Sequence, residues 1–293
     1  MNAFVFPGQG SQKVGMGQAL HGECTAARDL FNRASTVLGY DLARLCFEGP
    51  EEKLTDTLHA QPALLTVDLV AHEAALSNGV TAEMVAGHSL GEYAALVAAG
   101  ALEFEDALRL VQRRAQLMAA APAGKMAAII GLPDAELDRV LEEAQSEGLV
   151  VAANFNSPGQ VVVSGAAGGV EAAMQAAKAH GAKMAVALPV SGAFHSPLMR
   201  EAGDEMSQLI DAAPFRTARI AVYQNTTAQA ATATDELKAA LKSQMTSPVR
   251  WTETVQNMIG AGATHFYELG PGKVLAGLIK RIDKSVAVES SEA

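Results

Sequence analysis

Apolar and polar positions alternate along this chain in two rhythms, and the switches between them mark out its elements. Asn2–Phe6 reads as a short strand, ended by the glycine-rich loop Pro7-Gly8-Gln9-Gly10-Ser11-Gln12. Helical spacing follows at Thr25–Leu38 and Gln61–Leu76. Met84-Val85-Ala86 then closes a short buried strand, which turns at Gly87-His88-Ser89-Leu90-Gly91 into an alanine-rich helix opened by Glu92. Glu103–Ala121 predicts a long helix with acidic residues in its first turn. Strands separated by helices imply parallel strands joined by crossovers, the α/β class.

The rhythm changes after Pro122. Lys125–Ile130 is strand-like, Asp134–Ser146 helical, Leu149–Phe155 and Gln160–Gly165 strands, Gly169–His180 helical and Lys183–Leu188 a strand. That order, βαββαβ, is the ferredoxin-like unit, able to form a compact layer of its own. The expected organisation is therefore a large α/β domain over 1–124 and 191–293, with an inserted subdomain over 125–190. Alternation resumes with helices near Leu198–Ala212, Glu236–Met245, Thr252–Gly260 and Lys273–Arg281, and strands at Ile220–Asn225, His265–Leu269 and Val286–Glu289. Ser290–Ala293 is expected to fray.

Composition narrows the options. With 293 residues, 49% of them hydrophobic and 18% charged, the chain can bury a large core and is not disordered. A net charge of −10 argues against nucleic acid or an anionic membrane as the main partner. No run approaches a membrane span, and the N-terminal MNAFVFPGQG has no basic segment, so no signal peptide is expected. Cys24 and Cys46 have no metal-ligand spacing, which suits reduced thiols in the cytoplasm. No Walker A, G-x-G-x-x-G or zinc pattern occurs, so neither a metal nor a cofactor is implied.

The chemistry centres on Gly87–Gly91, which fits G-x-S-x-G. This is a strand-to-helix turn that lifts Ser89 out of the sheet and sets it before a helix N-terminus. A serine hydroxyl needs a base. His88 should diverge from it at so sharp a turn, and His265 begins an apolar strand. His195 lies in an irregular segment and is either the base or a structural loop histidine. The backbone N–H groups of Gln9 and Leu90 are candidates for an oxyanion hole. On a helical wheel Arg114 falls inside the apolar arc of Ala107, Leu110, Val111, Leu117 and Met118. A buried arginine needs an anion, which is either a core carboxylate or one arriving with the substrate.

Taken together, PGQGSQ at Pro7–Gln12, GHSLGE at Gly87–Glu92, Arg114 in the following long helix, NSPGQVVVSG at Asn156–Gly165, GAFHSPLM at Gly192–Met199 and ELGPGKVL at Glu268–Leu275 resemble one family over essentially the whole chain. It is the malonyl-CoA:acyl carrier protein transacylases of bacterial fatty acid synthesis, related to polyketide synthase acyltransferase domains. The resemblance implies a hydrolase-like α/β core with a mostly parallel sheet and a ferredoxin-like insert. It implies Ser89 as nucleophile, His195 as base, Gln9 and Leu90 as oxyanion donors, and Arg114 as the holder of the malonyl carboxylate. Phe194 resembles the malonyl-selecting form. Some members carry glutamine where Arg250 is placed in SPVRW, a position credited with orienting the histidine, and Asn156 is a second candidate for that role. Malonyl-CoA and acyl carrier protein are the implied partners, and a monomer is the default. Lys183, Arg200, Lys273, Lys280 and Arg281 are candidates for docking an acidic carrier.

Two rivals predict different outcomes. A serine hydrolase would use His265 as base. A carrier-binding scaffold would retain the elbow without its chemistry.

Overall fold

The computed structural model describes residues 1–190 and 192–291. Ser191, the expected exit from the insert, and Glu292 and Ala293, the end of the expected frayed tail, lie outside the described residues. Among the described residues there are ten strands: β1 (Asn2–Phe6), β2 (Met84–Gly87), β3 (Lys125–Ile130), β4 (Val150–Ser157), β5 (Gln160–Gly165), β6 (Met184–Ala187), β7 (Ala221–Tyr223), β8 (Ala230–Ala231), β9 (His265–Leu269) and β10 (Ala287–Ser291).

Six of them form a sheet in the order β10-β9-β1-β2-β7-β8, parallel except for the final β7–β8 pair. Its central strands are apolar on both faces, as a sheet covered by helices on both sides requires. Successive residues of β1 serve opposite layers. Phe4 and Phe6 join Leu64, Val67 and Leu108 on one side, while Ala3 and Val5 join Trp251, Val255 and Leu278 on the other. The helix Thr57–Ser77 is longer than its periodicity predicts, running back through Pro62 to an Asp56 cap that accepts from the Leu58 N–H at 2.8 Å. It is buried on nearly every side, so its sequence shows little amphipathic rhythm.

The remaining strands form an antiparallel sheet, β4-β5-β3-β6, within the segment Lys125–Ala187. One face of it carries the helices Leu137–Ala144 and Ala167–Ala179 over a separate apolar cluster containing Ile129, Val140, Val163 and Val170. Backbone bonds between Ala153, Phe155 and Val249 stitch this sheet to the segment preceding the helix Trp251–Gly260.

The tail departs from expectation. Ser290 and Ser291 complete β10, paired in parallel with β9, and the Ser290 hydroxyl reaches Glu268 at 3.3 Å. Pairing with β9 engages the backbone of this edge strand on one side, so the two residues do not fray. Glu268 in turn caps the helix Val274–Ile282, accepting from the Leu275 and Ala276 N–H groups at 2.9 and 2.8 Å. The ELGPG motif is thus structural: it fixes a helix start beside the carboxyl end of the sheet. The loops following β1, β2 and β9 all emerge at this edge, where open parallel sheets place their sites.

Candidate active site

The elbow is held in a strained shape by groups that cannot move. Ser89 has φ 52°, a left-handed conformation costing roughly 1–3 kcal/mol for a non-glycine residue. Asn225, just past β7, clamps it from both sides: its Oδ1 accepts from the Ser89 N–H, and its Nδ2 donates to the Gly87 carbonyl, each at 2.6 Å. Glycine is obligatory at 87 and 91. A Cβ on Gly87 would run into the backbone of Gly91 and Glu92, and one on Gly91 into the carbonyls of Phe6 and Pro7. The helix Gly91–Ala98 can therefore press against β1 only without those side chains. The His88 ring points away from Ser89, with Nε2 2.8 Å from Asn156 Oδ1 and the ring 5.6 Å from Trp251.

His195 meets Ser89 from across the cleft. It too is left-handed, at φ 57°, in a turn whose Ser196 hydroxyl donates to Ala193 O and accepts from the Leu198 N–H. Its Nε2 is 2.8 Å from Ser89 Oγ, while Nδ1 faces two backbone carbonyls, Gln244 O at 2.9 Å and Ser247 O at 3.2 Å. Carbonyls only accept, so the proton sits on Nδ1, and the Nε2 lone pair is left for the serine hydroxyl. Burial, and after it the Arg114 charge, push the imidazole down to about 3, against the pull of the two carbonyls. The ring is neutral near pH 7 and able to accept a proton.

Arg114 completes the cluster. It is 1% exposed, and Nη1 donates to Gln61 Oε1 at 2.6 Å. Its Nη2 donates to Ser89 Oγ at 3.0 Å and to Gln244 Oε1 at 3.1 Å, and the guanidinium lies 5.8 Å from the Tyr93 ring centre. Its Nε has no hydrogen-bond partner among the described residues. No carboxylate among the described residues forms an ion pair with it. A buried cation satisfied only by neutral oxygens is poised for an incoming anion.

Ser89, His195 and Arg114 line one cavity of about 110 Å³, together with Gln9, Met118, Val162, Leu188, Val190 and Phe194. That volume suits a group of a few heavy atoms. The Gln9 and Leu90 N–H groups have no acceptor among the described residues, while the Gln9 side chain turns away to Thr57 Oγ1 at 3.1 Å. A larger depression of about 490 Å³, bordered by Arg33, His72 and Arg219, contains no nucleophile–base pair. Among the described residues no group of His, Cys, Asp and Glu is arranged to hold a metal ion, and no helix is long and apolar enough to cross a membrane.

Two expected supports are not where the sequence put them. Arg250 does not touch His195; its side chain reaches the carbonyls of Thr226 and Thr227 and pairs with Glu253. Asn156 supports His88 instead. The histidine is held by Gln244 and Ser247, a few residues before Arg250 in the same connection. Gln244 also donates from Nε2 to Ser89 O at 2.9 Å and to Glu92 Oε2 at 2.7 Å, so one residue touches serine, histidine, arginine and glutamate. His265, the rival base, starts β9 at the far, amino end of the sheet, stacked on Tyr267 and 2.7 Å from Glu289.

A half-buried serine, a neutral imidazole and a guanidinium with no acid in contact, all in one small cavity, define an acyl-transferring site for an acid-bearing substrate. Residues 3–292 match the family described as acyl transferase domain. The chain is 46% identical to the malonyl CoA-acyl carrier protein transacylase of Bacillus subtilis (strain 168) over 297 residues, which cover 99% of this chain and 94% of that one. Against the Escherichia coli (strain K12) protein of the same name it is 46% identical over 284 residues, 96% of this chain and 92% of that one. An acyl carrier protein S-malonyltransferase from Vibrio cholerae superposes with a TM-score of 0.96 at 43% identity, covering 99% of this chain and 96% of that one. A malonyl-transacylase solved in complex with its type II PKS acyl-carrier protein superposes equally well, with a TM-score of 0.96 at 40% identity, covering 100% and 96%. The chain belongs to the malonyl CoA-acyl carrier protein transacylase family.

Proposed function

We propose that this enzyme moves the malonyl group from malonyl-CoA to the phosphopantetheine thiol of acyl carrier protein, by way of a malonyl ester on Ser89. The observation that carries the reading is the Arg114 guanidinium, buried without an acidic partner in the cavity that also holds the Ser89–His195 pair. The malonyl carboxylate pairs with Arg114 and brings the thioester carbonyl over Ser89. His195 Nε2 takes the hydroxyl proton as Oγ attacks, and the resulting oxyanion is held by the Gln9 and Leu90 N–H groups. Collapse breaks the carbon–sulfur bond, and His195 returns its proton to the leaving CoA thiolate. The carrier thiol then attacks the ester with His195 again as base, and Ser89 leaves protonated. No third acidic member is required, since the carbonyls of Gln244 and Ser247 hold the Nδ1 proton and with it the tautomer. Phe194 lines the same cavity, where it would select against a branched acyl group.

The architecture that goes with this reading is a hydrolase-like core over 1–124 and 191–293, with a ferredoxin-like insert over 125–190. The antiparallel order β4-β5-β3-β6 supports the second part. A cytoplasmic location follows from the pathway. A monomer suffices, because every group named comes from one chain. Of the basic residues considered for carrier docking, Lys280 and Arg281 are already engaged internally, with Val286 O and Gln160. The test is to mix enzyme, malonyl-CoA and holo acyl carrier protein and to weigh the carrier. Malonylated carrier, formed by the parent and not by Ser89→Ala, supports the proposal; free malonate as the main product contradicts it.

A further inference from the structure

Glu92 stands at the first turn of the helix behind Ser89 and is 1% exposed. Its Oε2 accepts from Gln244 Nε2 at 2.7 Å, and the Asn225 N–H also faces the carboxylate. These bonds decide which way the Gln244 amide points. With its nitrogen committed to Glu92 and to Ser89 O, its oxygen must face Arg114 Nη2, 3.1 Å away. Carboxylate, amide and guanidinium form one relay. A neutral acceptor at position 92 would satisfy the amide equally well, and a buried charge is unfavourable unless it is compensated. What the carboxylate adds is a negative charge one amide away from a guanidinium that has no acid of its own.

We propose that Glu92 is the resident counter-charge of Arg114 and that it takes up a proton when a malonyl carboxylate arrives, so that malonyl binding is proton-coupled and acetyl binding is not. The inference rests on the malonyl reading of the site. Two carboxylates then compete for one buried guanidinium, and the substrate, in direct contact, wins the pair. Glu92 loses its compensation and meets a second negative charge, and both effects favour its neutral form. The proton comes from solvent and returns there when the acyl group leaves. A protonated Glu92 keeps its bond to Gln244 through its carbonyl oxygen, so the relay survives the change. Burial already raises the Glu92 carboxyl to about 7, against the pull of Gln244, the Asn225 N–H and Arg114, so a modest loss of positive charge moves it across neutrality. The other titratable groups facing the relay are neutral near that pH: Tyr93, raised to about 12 by burial, and His195, held down at about 3.

The test is calorimetry with two CoA analogues, malonyl and acetyl, in which a methylene replaces the thioester sulfur. Each is titrated near pH 7 in buffers of different ionisation enthalpy. The shared CoA phosphates cancel between the two ligands. The malonyl analogue should draw about half a proton, as a group half-ionised at that pH must, and the acetyl analogue none. In Glu92→Gln the malonyl uptake should vanish. In kinetics, kcat/KM for malonyl loading should fall by up to about tenfold per pH unit above neutrality in the parent, and stay flat in Glu92→Gln and for acetyl-CoA. Equal uptake for both analogues, or malonyl uptake preserved in the variant, overturns the inference and leaves malonyl transfer intact. Should the variant fail to fold, the comparison of the two analogues on the parent decides alone. Absence of malonyl loading at every pH overturns the malonyl reading, and this inference with it.

Discussion

Replacing Arg114 with alanine should turn a malonyl-selective site into one that prefers acetyl. The guanidinium is buried and bonded to Gln61, Gln244 and the Ser89 hydroxyl, with no carboxylate in direct contact and Glu92 reaching it only through Gln244. Truncating one member of a buried, hydrogen-bonded charge pair costs about 2–5 kcal/mol. At 1.36 kcal/mol per decade, kcat/KM for malonyl loading should fall between about 30-fold and 5,000-fold. Acetyl loading faces opposing effects. Loss of the Nη2 bond to Ser89 Oγ costs roughly 1 kcal/mol, while removal of an unpaired buried charge beside a methyl group relieves more than that. The acetyl rate should therefore hold or rise, and the malonyl-to-acetyl ratio should drop by about 30-fold or more. The assay is competitive loading from equal malonyl-CoA and acetyl-CoA, read by the mass of the acylated enzyme. Equal malonyl rates in variant and parent, or parallel losses for both substrates, would refute the assignment.

Two further perturbations probe the scaffold and the base. Gly91→Ala should abolish activity and destabilise the fold by about 3 kcal/mol or more, because its Cβ meets the Phe6 and Pro7 carbonyls, which are backbone and cannot yield; a thermal midpoint unchanged from the parent would contradict the close packing described. The pH–rate profile for acetyl-CoA loading should keep its acid limb well below 6.5, since burial and Arg114 hold His195 at about 3. The same depression makes the neutral ring part of the folded state: its contribution to stability is fully present above 6.5 and is lost as pH falls from there through about 3. An acid limb centred near 6.5 would show that His195 is not the titrating base in this environment.

How much of this was legible before the structure depends on whether side chains or backbone carry the role. Ser89 announced itself because the elbow demands glycine at 87 and 91, and Arg114 because a cation inside an apolar arc must meet an anion, with a core carboxylate and a substrate carboxylate equally open from the sequence. His195 stood out among seven histidines only by its irregular setting. The support for that histidine was misread as Arg250, six residues beyond Gln244. The working group is a main-chain carbonyl, which every residue has, and no side-chain pattern marks which one will point at the imidazole. Asn225 was equally silent, being one polar residue at the end of a strand. Gln61 left a trace as a polar residue heading the apolar run Pro62–Val67, although its helix begins earlier than the periodicity suggested, because a helix buried all round carries no amphipathic signal. The βαββαβ order of Lys125–Ala187 was readable because short apolar runs there are separated from helical stretches by glycine, proline and serine breaks.

The central claim is that one hydroxyl carries the acyl group. Enzyme mixed with malonyl-CoA in the absence of carrier, quenched in acid and mapped by peptide mass spectrometry, should show a single malonyl ester on Ser89, formed orders of magnitude more slowly in His195→Ala. Malonyl found on another residue, or none on Ser89 while transfer to the carrier proceeds at the full rate, would contradict the account.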